Sequence, residues 1–265
     1  MSGINFIKTI GLCIAGILAS HHAIAASVSP HWTHEEQAGW GAILDEAVTE
    51  APLMYPYAEC SLGNHQSPVD LSGKIISPKN NGLAFNYPKD AVTFFNSGHA
   101  AQVNTTLAYK GGVSIGSDFY PLAQFHAHAP AEHVIGSQIY PAELHFVHIR
   151  HDGKIAVVGV FLQEGLKDNP AFEVFLNNMP TVAGEKNASS GILFSPAALL
   201  PARKTAFYTY AGSLTTPPCS EGVSWYVLAN PITVSTAQLV KLETLYKDNS
   251  RQPQALNERI VSGKK

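Results

Sequence analysis

Charge is scarce in this 265-residue chain: only 14% of residues are Asp, Glu, Lys or Arg, against 45% hydrophobic ones, and the formal net charge is −3. No cluster of basic residues occurs anywhere, which argues against nucleic acid and against anionic membrane surfaces as partners. There is no internal repeat and no low-complexity linker; Gly and Pro are spread as turn punctuation, so one domain with one large core is the economical organisation. The chain also lacks an apolar run long enough for a comfortable transmembrane helix. Its longest such run, Thr9 to Ala19, follows Lys8 and precedes Ala23-Ile24-Ala25, the pattern of a secretory signal over residues 1–25, leaving 26–265 as the exported domain without a membrane anchor. Only three cysteines are present, and Cys13 lies within the signal, preceded by Leu12 instead of the small residue of a lipoprotein site. Cys60 and Cys219 remain: in an oxidising compartment an even pair is either bridged or two buried thiols.

What the chain does have is a spaced set of histidines. Gln124-Phe125-His126-Ala127-His128 and Glu143-Leu144-His145-Phe146-Val147 are short, apolar and rich in strand-forming residues. Residues two apart on a strand share a face, so His126 and His128 point the same way and a neighbouring strand can add His145. Three imidazoles with a fourth position open are the donor set of a catalytic zinc ion. The same parity places Gln124 and Glu143 where they can accept the N–H of a ligating ring and fix its tautomer. His148 has the opposite parity and should face away from the metal.

Further strand-like runs are Val92 to Asn96, Ala101 to Tyr109, Gly112 to Ile115, Lys154 to Gln163, Ala206 to Ala211 and Ser224 to Asn230. Helical signals are few: Glu35 to Glu46, Pro170 to Met179, Ser195 to Leu200 and Ser235 to Tyr246, the last with Ser235 and Thr236 as candidate caps. Many strands and few helices predict a mostly β (α+β) fold, a large sheet with peripheral helices.

These motifs, together with His31-Trp32, Gln66-Ser67-Pro68-Val69, Asn96-Ser97-Gly98-His99, Glu132-His133, Ser213-Leu214-Thr215-Thr216-Pro217-Pro218-Cys219 and Trp225, resemble the α-class carbonic anhydrases of the bacterial, exported type. The resemblance spans nearly the whole chain after the signal. It implies a central, mostly antiparallel ten-stranded twisted sheet with Zn2+ at the bottom of a conical cleft. His126, His128 and His145 would be the ligands, and a zinc hydroxide would attack CO2 to give bicarbonate. Thr215 would accept the hydroxide's hydrogen bond and donate its own to Glu132. Val147, Val157, Leu214, Val223 and Trp225 would wall an apolar CO2 pocket, with Thr216 near bicarbonate. His99 matches the position of a proton shuttle, and Cys60 and Cys219 match a disulfide pair. Sulfonamides and small anions would inhibit such an enzyme, which would work as a monomer or homodimer in a Gram-negative periplasm, or otherwise as a secreted protein.

Two positions depart from the family pattern: His34 stands where a tyrosine is usual, and Gln102 where asparagine is frequent. Two other readings compete. A catalytically silent binding relative would have lost zinc histidines, and all three are here; a cupin-type oxygenase would add Glu132 as a ligand to iron or manganese, leaving the Thr215 to Cys219 motif and Trp225 unexplained.

Overall fold

Side-chain alternation is what the predicted strands have in common, and it survives folding as a two-faced sheet. The computed structural model describes residues 29–51, 54–72, 82–188 and 191–264; residues 1–25, where a signal is expected, lie outside them. The strands are β1 (Leu83–Asn86), β2 (Asp90–Asn96), β3 (Ala101–Thr105), β4 (Gly112–Ile115), β5 (Asp118–His128), β6 (Val134–Ile135), β7 (Gln138–Ile139), β8 (Ala142–Ile149), β9 (Ile155–Gly165), β10 (Lys186–Asn187), β11 (Leu193–Phe194), β12 (Phe207–Ser213), β13 (Glu221–Ser235) and β14 (Ser262–Lys264). The main sheet runs β10-β2-β3-β5-β8-β9-β13-β12-β14, with β4 joining β1 to β5 and β11 beside β2. It has twelve strands where the resemblance implied ten, and two of them, β10 and β11, are two-residue edge pieces. It is also mixed: β9 and β13 pair in parallel, and every other pairing is antiparallel.

One face of the sheet carries Phe125, Leu144, Phe146, Val158 and Val160, packed with Phe172, Phe175, Leu239 and Leu242. Those last four come from α2 (Pro170–Asn178) and α3 (Thr236–Leu245), which the sheet buries on that side. Both helices start where sequence chemistry says they should. The Asn169 side chain accepts from the N–H groups of Ala171 and Phe172 ahead of Pro170 at the first turn, and Ser235 with Gln238 forms a reciprocal capping box. The predicted helix from Glu35 to Glu46 is reduced to a 3-10 turn, Gln37–Ala42. Gly39 and Gly41 weaken an α-helix there, and a Cβ at Gly41 would lie 2.2 Å from Ser61 Oγ, so this segment is selected for close approach.

The opposite face holds a second cluster: Val69, Leu71, Val157, Phe161, Val223, Trp225 and Val227. Here β9 passes between its neighbours with Gly159 directly across from His145 on one side and Val227 on the other. A Cβ at Gly159 would lie 2.7 Å from Glu143 Oε1 and 3.2 Å from Val227 Cγ2. Both neighbours are packed on all sides, so Gly159→Ala should destabilise the fold by about 1–3 kcal/mol in chemical denaturation. An unchanged midpoint would mean that Glu143 has room to retreat.

Cys60, in the short helix α1 (Glu59–Leu62), is bonded to Cys219 across 159 residues. The bridge packs with Trp32, Trp40 and Tyr57 in a small satellite core. Closing a loop of that length implies a stabilisation of about 2–5 kcal/mol, so reduction, or the pair Cys60→Ser and Cys219→Ser, should lower the thermal midpoint. Two alkylatable thiols in the native protein, produced under oxidising conditions, would contradict the bridge.

Candidate metal centre

Register assembles the site. His126 on β5 sits directly opposite His145 on β8, and His128 is two residues on along the same face. Their ring centroids are 4.6 to 5.4 Å apart, and one ring nitrogen from each lies within 4.8 Å of the others. His128 and His145 are buried and His126 is half-buried.

Acceptors around the rings decide which nitrogens are bare. His126 Nδ1 is 2.8 Å from Gln124 Oε1, and His128 Nδ1 is 2.7 Å from the Asn249 carbonyl oxygen. His145 Nε2 is 3.1 Å from Glu143 Oε1, off the line of a well-aligned hydrogen bond. Amide, carbonyl and carboxylate oxygens only accept here, so these nitrogens carry the ring protons and leave lone pairs on His126 Nε2, His128 Nε2 and His145 Nδ1. Burial lowers the pKa of all three rings, that of His128 to about 4, so each is neutral at pH 7. Three converging neutral nitrogen donors fit a zinc ion with a fourth position open.

Two buried carboxylates surround this donor set. Glu143 accepts from the N–H groups of Glu132 at 3.1 Å and His133 at 2.9 Å, and from His133 Nδ1 at 2.8 Å. Burial alone would raise its pKa, but the His133 and His145 rings hold it well below the usual carboxylate value. His133 Nε2 in turn lies 2.7 Å from the Tyr210 hydroxyl, which is 3.0 Å from Ser67 Oγ. His133 and Glu143, with His145, form a second possible donor trio. Their mutual hydrogen bond already occupies them, which favours the three histidines.

Glu132 is the other carboxylate. Its Oε1 accepts the Arg251 N–H at 2.8 Å, and its Oε2 has no aligned partner among the described residues. Burial raises its pKa to about 7 against the pull of His145, the Arg251 N–H and the Thr215 hydroxyl, so Thr215 stands close to it. Arg251 is anchored through its guanidinium to Gln66 Oε1 (2.8 Å), the Ser67 carbonyl (2.9 Å) and the Cys60 carbonyl (3.0 Å). Gln66 Nε2 donates to the Cys219 carbonyl at 3.1 Å, so one buried cation ties Glu132 to both halves of the disulfide.

The sheet face around the histidines is divided. On β3, Gln102 and Asn104 pair with His126 and Gln124, making one side polar. On the other side Val147 pairs with Val157 and Val157 with Trp225, whose ring centroid is 4.8 Å from that of His145. Val147 and Leu214 are partly buried against Val157, Val223 and Trp225, so all five expected pocket residues belong to one cluster. Thr216 is half-buried beside Thr215, and its carbonyl accepts the Cys219 N–H at 2.9 Å.

His99 is not brought to the histidine trio. Its ring stacks on Trp32, centroids 3.7 Å apart and planes 9° apart, and lines a hollow with His31, His34, Lys247 and Asn249 that none of the three histidines enters. His148 faces away, as parity predicted, bonded to Tyr87 in the other core. Sequence reasoning missed Asn249, Arg251, Tyr210 and Gly159. Asn249 acts through its backbone carbonyl, and Arg251 lies in a polar loop without periodicity, so neither left a signal.

The profile of the eukaryotic-type carbonic anhydrase family matches residues 52–265. A carbonic anhydrase of Klebsiella pneumoniae is 34% identical over 254 residues, covering 93% of this chain and 96% of its own, and one of Nostoc sp. is 37% identical over 211 residues, covering 77% and 78%. The solved α-carbonic anhydrase of Thermovibrio ammonificans, in complex with the inhibitor sulfanilamide, superposes with a TM-score of 0.77 at 36% identity, covering 88% of this chain and 98% of that one. With the match running through the histidine strands, the carboxylates and the Thr215 turn, the chain belongs to the eukaryotic-type, or α, carbonic anhydrase family of zinc-dependent lyases that hydrate CO2.

Proposed function

We propose that this chain holds one zinc ion through His126, His128 and His145 and there converts CO2 and water reversibly into bicarbonate and a proton. The observation that carries this is the convergence of three neutral ring nitrogens with bare lone pairs, their opposite nitrogens committed to Gln124, Asn249 and Glu143. When bound, zinc supplies the positive charge that makes water a nucleophile at neutral pH. Its charge also favours the ionised form of Glu132.

The protein's part is orientation. The Thr215 hydroxyl, close to Glu132, donates to its carboxylate and so can only accept from the nucleophile. That fixes the nucleophile's proton on the Thr215 side and aims its lone pair at CO2. Arg251, holding Glu132 Oε1, keeps the carboxylate from turning. CO2 has no dipole to grip, so the wall of Val147, Val157, Leu214, Val223 and Trp225 receives it, and Thr216 borders the bicarbonate formed. His99, half-buried in the hollow beside Trp32, relays the released proton to buffer. An inhibitor sulfonamide, as in the Thermovibrio neighbour, would compete for the open metal position. Among the described residues no helix is long and apolar enough to cross a membrane. The bridged Cys60 and Cys219 support export to an oxidising compartment, the periplasm in a Gram-negative cell.

Metal analysis should give about one zinc per chain, and stopped-flow CO2 hydration should vanish with a chelator and return with zinc. His145→Ala should abolish both metal and activity, since two imidazoles cannot hold the geometry. Full activity in a demonstrably metal-free preparation would overturn the proposal, and iron or manganese in place of zinc would favour the oxygenase reading.

Thr215→Ala should retain zinc and slow hydration by about 10- to 100-fold, the range for losing a group that orients the reacting centre. Loss of zinc in that variant would make Thr215 a support of the fold instead.

A further inference from the structure

A buried positive charge is costly unless a negative one faces it. Arg251 is 3% exposed, and burial lowers its pKa to about 10 against the pull of Glu132, so it stays charged at neutral pH. Yet Glu132 meets this residue at its backbone N–H. The guanidinium itself has no carboxylate within ion-pair distance: among the described residues the arginine and lysine side chains that do are Arg150 and Lys241. Instead it lies over the ring of Trp40, its central carbon 5.6 Å from the ring centroid.

Its donors are not all occupied either. A guanidinium carries five N–H groups. Three of them reach neutral oxygens, two from Nη1 to Gln66 Oε1 and the Ser67 carbonyl and one from Nη2 to the Cys60 carbonyl. That leaves Nε–H and one Nη2–H. The enclosed side-chain atoms without a partner among the described residues are His34 Nε2, His128 Nε2, Glu132 Oε2 and His145 Nε2. Arg251 Nε is not one of them, so it faces space that solvent can enter. Arg251 lines such a space, a hollow of about 380 Å³ shared with Ser61 and the amides of Gln37, Gln252 and Gln254, and no carboxylate lines it. This hollow shares no residue with the one that holds His99, and none of the three metal-site histidines enters it.

We propose that this hollow binds a small carboxylate-shaped anion on the free N–H groups of Arg251, and that bicarbonate is the anion it takes in the working enzyme. The anion site stands by itself; naming bicarbonate rests on the carbonic anhydrase reading above. A planar fork meets a planar oxyanion through two parallel N–H···O bonds, a match that a spherical anion such as chloride cannot make. Occupancy fastens the segment 249–252 against Cys60. That segment supplies the Asn249 carbonyl to His128 and the Arg251 N–H to Glu132, so the anion steadies the frame around the metal without entering the reaction.

The test reads the thermal midpoint of the zinc enzyme with sulfanilamide in excess, so that an added anion cannot register at the metal. Sodium formate and sodium bicarbonate are each compared with sodium chloride at equal ionic strength. At roughly ten times its dissociation constant, either carboxylate-shaped anion should raise the midpoint by about 3–6 °C over chloride. Gln252→Glu brings a carboxylate of the chain itself to the hollow and should abolish that rise, while zinc content and CO2 hydration stay as in the wild type. Should Gln252→Glu fail to fold, Ala38→Glu, from another wall of the hollow, makes the same comparison. No rise over chloride, or a rise undiminished in the variant, overturns the proposal. So does a rise seen only when sulfanilamide is left out, since the anion then sits on the metal. A rise with formate and none with bicarbonate overturns bicarbonate as the ligand. If sulfanilamide itself does not bind, it is the carbonic anhydrase reading that fails, and the formate response of His145→Ala, which has no intact metal site to compete, still decides for or against the anion site.

Discussion

A slip of one residue of β8 against β5 would turn His145 away from His126 and His128 toward the helix-covered face and bring Phe146 to the site side. The register of that one strand pair is the constraint on which the site depends. It is enforced from both faces: aromatic packing on one side, where Phe125 and Phe146 stack at 5.2 Å, and the polar shell on the other. A metal site built this way needs no dedicated loop. Its donors are ordinary strand positions, as rigid as the sheet.

Rigidity alone would not make three buried imidazoles useful. Each must be neutral and must present the right nitrogen, and the shell of acceptors sets both. Gln124 does this locally, from the same strand. Glu143 does it from the strand of His145, itself pinned by three N–H donors and left without space on the Gly159 side. Asn249 does it from a remote segment, 121 residues from His128, and Arg251, two residues further, holds Glu132. The segment 249–251 thus closes the site from outside the sheet and ties it to the Cys60–Cys219 satellite core.

This division marks what was legible in the sequence. Wherever function rides on strand parity it could be read directly: the three histidines, Gln124, Glu143 and the outward His148 all fall where period-two alternation puts them. The cap of α3 at Ser235 was legible for the same reason, being local chemistry. Thr215, Glu132 and His99 were singled out only through family resemblance, since a turn threonine, a loop glutamate and a loop histidine have no periodicity. Asn249, Arg251 and Gly159 escaped both routes: a backbone carbonyl has no side-chain signature, a long-range anchor has no spacing, and a glycine chosen for close approach looks like any other. The edge strands β1, β10, β11 and β14 were missed because such short pieces barely display a period.

Strand order also separates the two traffics such a site must handle. Moving along the sheet from β3 through β5 and β8 to β9 and β13, the face changes from Gln102, Asn104 and Gln124 to Val147, Val157 and Trp225, with the histidines at the boundary. An apolar substrate is favoured on one side, where there is no polar group for water to hold, and a proton needs the other, where water can be held in sequence. Neither path has to cross the other. Because neighbouring strands supply the two sides, on the proposed function a substitution in the valine wall would perturb CO2 capture without touching the amides, and one in the polar wall would do the reverse. What the sheet topology itself supplies is the separation of an apolar from a polar side about the histidines, on which the proposed function would place capture and proton release apart.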